Sequence, residues 1–330
     1  MKAAFYERTG PAGEVLQLGE LQDPAPGPGE VRVRMRWSGV NPSDVKSRAG
    51  LRSKELPFPR IVPHSDGMGH IDAVGDGVPA GRVGQRVWIW NAAWGRPFGT
   101  AAQYVVLPEV QAVALPDVVS DEAGACLGIP ALTALHSCLT GGGVAGKSVL
   151  VAGGAGAVGH YAVQFARLLG ARQVLATVSS PQKAALAKTA GADATIDYKR
   201  EEVATRVREL TQGAGVDRII EVDIAANGGL DVDLLRAGGD CVIYGSGAAR
   251  FELGFFPLIV RNATLRFFIV YNLDAQDRRR AIVALDSFLA RGSLVHNIAQ
   301  RLPLEQIVQA HETVEQQQVV GNVVLSISQE

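Results

Sequence analysis

Residues 149–159 read Val149-Leu-Val-Ala-Gly-Gly-Ala-Gly-Ala-Val-Gly159. The apolar run predicts a strand that enters a glycine turn, and Gly154, Gly156 and Gly159 fall at the spacing G-x-G-x-x-G. His160 to Leu169 has apolar residues at helical spacing. Gln173 to Val178 reads as a second strand, which completes a strand–helix–strand unit. In such a unit Gly154 is expected to allow the tight turn, Gly156 to let the backbone approach a pyrophosphate, and Gly159 to let helix and strand pack closely. The helix N-terminus would offer N–H groups and a partial positive charge to the anion. With 38 glycines in the chain the spacing alone can arise by chance. The reading therefore rests on the strand before the turn and the helix after it.

Outward from this unit, candidate strands are Ser148–Ala152, Gln173–Val178, Ala194–Asp197, Asp217–Glu221, Gly239–Tyr244 and Thr264–Val270. The segments between them are long enough for crossover helices, so the middle of the chain predicts a doubly wound parallel sheet. The first ~120 residues differ in kind. Short strand-like runs (Val31–Trp37, Arg86–Trp90, Gln103–Leu107) are parted by Gly and Pro clusters, as in a β-barrel. Met1–Arg8 reads as a strand in which Ala3 and Phe5 alternate with polar residues. After Asp274 comes a helix of roughly four turns, and the chain closes on an apolar strand, Asn322–Ile327.

At 330 residues the chain has room for two domains. Its 47% hydrophobic and 20% charged content is that of a globular protein, and no apolar stretch is long enough to span a bilayer. Met1–Arg8 lacks the apolar core of a signal peptide. A net charge of -1 gives no electrostatic case for nucleic acid or membrane partners. Three widely spaced cysteines, Cys126, Cys138 and Cys241, fit a reducing cytoplasm rather than a disulfide framework.

An NAD site usually has an acidic residue near the end of its second strand, bonded to the ribose 2′-hydroxyl. Here that strand runs on as Val178-Ser-Ser-Pro-Gln-Lys183, with no carboxylate before Asp193. Two hydroxyls, Ser179 and Ser180, and the cation Lys183 suit a 2′-phosphate instead, which points to NADPH. Ser180 also stands where a helix N-cap would, with Pro181 in the first turn. Both readings can hold together.

Across essentially its whole length the chain resembles the medium-chain dehydrogenase/reductase superfamily. The match is to the zinc-free quinone oxidoreductase group that includes zeta-crystallin. The resemblance is carried by an ordered series: Gly39-Val-Asn-Pro-Ser-Asp44, Pro63-His-Ser-Asp-Gly67 with Ile71-Asp-Ala-Val-Gly75, Gly84-Gln-Arg-Val87, Leu132-Thr-Ala134 and the glycine turn. Ile196-Asp-Tyr-Lys199, Tyr244-Gly-Ser246 and Ala310-His-Glu312 follow in the expected places. It implies an α/β architecture: a GroES-like β-barrel catalytic domain from residues 1–121 and 276–330, and a Rossmann NADPH-binding domain over 122–275. In this family the cofactor lies in the cleft between them.

The resemblance further implies site residues. Asn41 and Thr133 would sit at the nicotinamide end. Gly154, Gly156, Ala157, Val158 and Gly159 would face the pyrophosphate. Ser179, Ser180, Lys183 and Tyr198 would surround the 2′-phosphoadenosine, and Ser246, Ile269, Val270 and Tyr271 would line the rest of the path. The chain departs from the family at two places. A common tyrosine position is Lys46, and a common glycine-cation pair is Gly321-Asn322.

Zinc-dependent relatives hold a catalytic metal through three protein ligands. Two of those positions here are Asn41 and Pro130, and His64 alone cannot replace them. Residues 85–115 contain no cysteine for a structural zinc. The expectation is therefore no metal, with hydride transfer governed by placement. Asn41, Thr133 and Lys46 would be the donors to a reduced oxygen. The expected activity is NADPH-dependent quinone reduction in the cytoplasm. The alternatives are reduction of α,β-unsaturated carbonyls and, in a different class, an NADPH-binding structural or RNA-binding protein. The apolar run 264–270 would be an unprotected edge strand, which predicts a homodimer paired through it.

Overall fold

A computed structural model describes residues 1–327. Two compact units are present: residues 1–130 with 286–330, and residues 131–285.

In the first unit β1 (Lys2–Phe5) pairs antiparallel with β2 (Gln17–Glu20), with α1 (Ala12–Val15) between them. The main sheet is built from β3 (Glu30–Val40), β4 (Asp66–Val74), β5 (Arg86–Ile89), β6 (Tyr104–Pro108) and β7 (Ala112–Ala114), joined by β14 (Ile298–Pro303) and β15 (Asn322–Ser326). Its path is β14-β15-β3-β4-β5-β7, and β6 also pairs with β3. The barrel-like reading of the N-terminal third thus holds, with strands a few residues longer or shorter than expected. The sequence explains β3 directly. Val31, Val33 and Met35 are fully buried, while Arg32 on the opposite face holds Asp72 through Nε at 2.9 Å and Nη2 at 3.0 Å. Alternation fails in β1, where Ala3, Ala4 and Phe5 are all buried. Both faces of that strand are covered, so the period-2 pattern has no solvent face to mark. The helices are α2 (Pro42–Arg48), α3 (Asp121–Gly124) and α11 (Ile307–Glu315).

The second unit starts with α4 (Leu132–Leu139) and continues through β8 (Ser148–Val151), α5 (Ala157–Leu168), β9 (Gln173–Val178), α6 (Pro181–Thr189), β10 (Ala194–Asp197), α7 (Val203–Leu210), β11 (Val216–Glu221), α8 (Ile224–Leu234), β12 (Leu235–Ile243), α9 (Phe255–Val260) and β13 (Thr264–Phe267). The sheet order is β10-β9-β8-β11-β12-β13 and every pairing is parallel. Counted from β8 this is 3-2-1-4-5-6, the doubly wound order whose strand sequence reverses between β8 and β11. Ligands in such sheets bind beyond the carboxyl ends of the strands at that reversal. The helix after β13, α10 (Ala275–Ala290), has the length read from the sequence.

Two expectations need correction. The edge strand ends at Phe267, not Val270, because Val270–Asn272 turns into a 3₁₀ helix whose Val270 and Tyr271 carbonyls accept from Arg278. The crossover helix begins at Ala157, three residues earlier than its apolar spacing suggested.

β11 is unusual in being buried throughout while carrying Asp217, Arg218 and Glu221. Arg218 is satisfied by Asp240 at 2.9 Å and by the Ser137 and Gly141 carbonyls at 3.1 and 3.2 Å. Asp217 accepts from Ser148 N at 2.7 Å and pairs with Arg236 at 2.6 Å. A buried charge persists only when paired in this way.

Candidate functional site

The glycine turn leaves β8 at Val151 and enters α5 with Gly156 as its N-cap. Gly153 carries the left-handed backbone at φ +65°, so the tight turn is its work and not that of Gly154. Gly154 is required by contact: a Cβ there would stand 2.5 Å from the Ala176 Cβ on β9. A Cβ at Gly159 would overlap the Gly153 carbonyl oxygen, which fixes the close approach of helix and turn. Gly156 is different. Its φ of -69° is ordinary, and its added Cβ would meet nothing closer than the Gly153 oxygen at 3.3 Å. The protein does not need glycine there for its own packing. That open space is what a ligand approaching the backbone requires.

With glycine as the cap, no cap side chain accepts from the first turn of α5, and the first N–H groups of a helix have no acceptor within it. The turn is tied to β9 by Gly153 N donating to Thr177 Oγ1 and Gly154 N donating to Thr177 O, both at 3.0 Å. Just beyond Thr177 stand Ser179, Ser180 and Lys183. Lys183 Nζ donates to Ser179 Oγ at 2.9 Å, which brings a cation and a hydroxyl together. Ser180 is the N-cap of α6, its Oγ accepting from Lys183 N at 3.3 Å, with Pro181 in the first turn. The capping role is therefore real and coexists with the cluster. Tyr198 follows β10, donates its N–H to Val178 O at 3.1 Å and is half-exposed. The four residues gather at one end of β9.

At the end of β12, Ser246 Oγ donates to Ala248 O at 2.7 Å. Ile269 precedes the 3₁₀ turn, and Val270 and Tyr271 are buried in it. Thr133 is buried in the first turn of α4, its carbonyl accepting from Ser137 Oγ at 2.8 Å.

In the first unit Asn41 caps α2 and is held twice. Its N–H donates to Asp44 at 2.8 Å, and its Nδ2 donates to Asp66 at 3.0 Å. Burial raises both carboxyls: Asp44 to about 7, and Asp66 well above the usual range. The backbone and the side chain of Asn41 are thus both engaged inside the fold. Lys46 follows on α2, one turn on. His64, left-handed at φ +79°, is fully buried. Its Nδ1 meets Ser38 Oγ at 2.8 Å and its Nε2 meets His311 Nε2 at 2.9 Å. Burial lowers His64 to about 3 and pushes His311 down as well, so the pair is neutral.

This donor set does not fit a catalytic zinc. Both nitrogens of His64 are engaged, an amide replaces one ligand, and no group of three His, Cys, Asp or Glu side chains able to hold a metal occurs among the described residues. Asn322, the second departure from the expected pattern, is buried and bonds the Asn297 carbonyl from Nδ2 at 3.1 Å and from its backbone N at 2.9 Å. The amide there joins two segments of the first unit.

Two family models match the chain: the alcohol dehydrogenase GroES-like domain over residues 27–117 and the zinc-binding dehydrogenase domain over residues 157–287. A quinone oxidoreductase of Pseudomonas aeruginosa is 33% identical over 327 residues, covering 94% of this chain and 95% of that one. The chain belongs to the quinone oxidoreductase group of the medium-chain dehydrogenase/reductase superfamily. Within this superfamily a 2-haloacrylate reductase of a Burkholderia species is 31% identical, with 98% of each chain covered. A solved NAD-dependent alcohol dehydrogenase superposes with TM-score 0.91 at 32% identity over 99% of this chain and all of that one. The Escherichia coli quinone oxidoreductase, solved with NADPH, gives 0.88 at 25% identity over the same shares. Membership accounts for the ordered motifs, the doubly wound sheet and the GroES-like strands together.

Sequence reasoning missed Asp66 as the partner of Asn41 and Glu221 at the end of β11. The signal for Glu221 was present: an acid closing an apolar strand at the reversal of strand order.

Proposed function

We propose that this protein is an NADPH-dependent, zinc-independent quinone reductase. The observation that carries the cofactor is the pairing of Lys183 with Ser179 at the end of β9, beside a glycine turn with open space at Gly156. A cation and hydroxyls favour a 2′-phosphate, where an acidic residue would favour the 2′-hydroxyl of NAD. Residues Gly154, Gly156, Ala157, Val158 and Gly159 would hold the pyrophosphate. Ser179, Ser180, Lys183 and Tyr198 would hold the 2′-phosphoadenosine, and Ser246 with the 269–271 segment would hold the remainder. Bound there, the cofactor supplies a hydride. The protein's part is to orient the reactants, and Asn41, Thr133 and Lys46 are assigned to hydrogen bonding with the acceptor. A quinone needs no strong Lewis acid, which agrees with a site whose histidine is neutral and occupied.

The P. aeruginosa relative supports quinones, and the Burkholderia relative, a reductase of a conjugated acid, supports activated alkenes as a second acceptor class. NADPH oxidation with matched panels of quinones and enones tests both. Faster turnover of quinones is expected. Turnover of enones alone would replace the reading, and binding without turnover would make this an NADPH-binding structural protein.

The assembly is proposed to be a homodimer through β13. This edge is framed by exposed apolar side chains: Phe267 at 56% exposure, with Phe255, Phe256, Ile259 and Val260 of α9. Phe251 stacks on Phe267 at 5.9 Å. An open parallel edge beside such a patch calls for a cover. No helix among the described residues is long and apolar enough to cross a membrane. We infer a cytoplasmic setting and expect no nucleic-acid partner; the buried free cysteines and the balanced charge support this reading.

A further inference from the structure

Glu221 closes β11 at the reversal of strand order, across from the glycine turn that closes β8. It is fully buried. One carboxyl oxygen, Oε1, holds the next turn in place: it accepts from Asp223 N and from Asn227 Nδ2, the latter at 2.9 Å. The other oxygen, Oε2, has no hydrogen-bond donor. Asp231 lies one helical turn after Asn227 on α8, on the same face, and is also buried. Its Oδ2 likewise lacks a donor, and the Glu221 carboxyl is near enough to act on it. Neither residue forms an ion pair among the described residues. Two carboxylates cannot bond to each other without a proton between them. The titratable side chains beside the pair are Cys241 on β12 and Tyr244 just after it, and neither residue of the pair has a cationic partner among the described residues.

We propose that Glu221 and Asp231 share one proton and act as positioning residues for the β11–α8 turn at the cofactor-binding edge of the sheet. The turn they hold is connected to its surroundings. Asp223 Oδ1 accepts from Gly247 N at 2.6 Å, and Ile224 N donates to Gly245 O at 3.3 Å, so the loop after β12 follows it. Val222 lies against the glycine turn, 3.7 Å from where a Cβ on Gly153 would stand. Loss of the shared proton would leave two buried like charges, which are relieved by moving this turn toward water. The link to cofactor binding rests on the function proposed above. The shared proton does not.

Burial and the neighbouring Glu221 raise Asp231 far above the carboxylate range, so the folded chain keeps a proton that the unfolded chain releases above about pH 5. Stability from this pair is therefore greatest at low pH and declines as pH rises toward the folded pKa. One proton corresponds to a tenfold change in the folding equilibrium constant per pH unit. The test compares wild type with Asp231→Asn, which keeps a donor toward Glu221 without a titrating proton, and with Glu221→Gln as a second conservative variant. Denaturant unfolding from pH 6 to 8 should show wild type losing about a hundredfold relative to Asp231→Asn. NADPH titrations from pH 7 to 10 should show affinity falling with pH in wild type and holding in Asp231→Asn. Parallel unfolding curves would overturn the shared proton. Divergent unfolding curves with the same NADPH pH profile in both proteins would overturn the positioning role. A wild type that does not bind NADPH at any pH would defeat the proposed function while the unfolding comparison still decides the proton.

Discussion

The glycine turn allows a substitution that separates folding from ligand binding. In Gly156→Val the new Cβ meets only the Gly153 oxygen at 3.3 Å, and the backbone angles are ones valine adopts readily. The folded protein loses a good N-cap residue, which costs about 1 kcal/mol, or roughly 2–4 °C of melting temperature in a domain of this size. The branched side chain fills the space in front of the Ala157 and Val158 N–H groups. Two hydrogen bonds to a charged phosphate at about 1.5–3 kcal/mol each amount to more than a hundredfold in affinity. Gly154→Val reverses the balance. Its Cβ would already stand 2.5 Å from Ala176 Cβ, and two further methyl groups extend the clash into β9. Overpacking of that kind costs about 1–3 kcal/mol or more, so this variant should melt earlier than Gly156→Val. Fluorescence titration with NADPH and thermal melts on both proteins decide the matter. A Gly156→Val protein that melts normally and binds NADPH as wild type does would refute the placement of the pyrophosphate.

Lys183→Ala should weaken NADPH by roughly 10- to 40-fold, taking the lower part of the range for a charge-assisted bond because the side chain is partly solvated. NADH should be nearly unaffected, and equal losses for both dinucleotides would remove Lys183 from the 2′-phosphate. Elemental analysis should find no stoichiometric zinc, with activity intact after chelation; one zinc per chain whose removal abolishes turnover would overturn the metal-free mechanism. Phe267→Asp should shift a dimer toward monomer in sedimentation at micromolar concentration, since a half-exposed edge aromatic becomes a charge. A monomeric wild type under the same conditions would discard the β13 interface.

The doubly wound sheet was legible because its strands are apolar runs set between helices, and the turn after β8 because its glycines stand between an apolar strand and a helical run. Local signals also gave Ser180 its cap and α10 its length. What escaped was set by contacts distant in sequence. Met1–Arg8 was read as alternating because nothing in the sequence reports that a second face is covered. The edge strand stops three residues short of its apolar run, since the carbonyls of Val270 and Tyr271 are claimed by Arg278 from the next helix. Gly153 rather than Gly154 makes the turn, because spacing identifies which residues are glycine but not which one bears the positive φ. Asp66 and Asn41 are 25 residues apart and meet only through the packing of β4 beside β3.

The seven-stranded sheet has a bearing on how the chain is made. One edge of β3 is divided between two partners: residues 30–34 pair with β6, and residues 37–40 pair with β15, which is almost 290 residues away. During synthesis the whole of 131–285 emerges before β15 exists, so the parallel-sheet unit can assemble while part of β3 still waits for its neighbour. Closure of so long a loop is slow, and the waiting edge, Trp37-Ser-Gly-Val40, is apolar enough to attract other chains. Nascent chains stalled after residue 285 should therefore hold a protease-resistant parallel-sheet unit while the β3 edge remains open to chaperones.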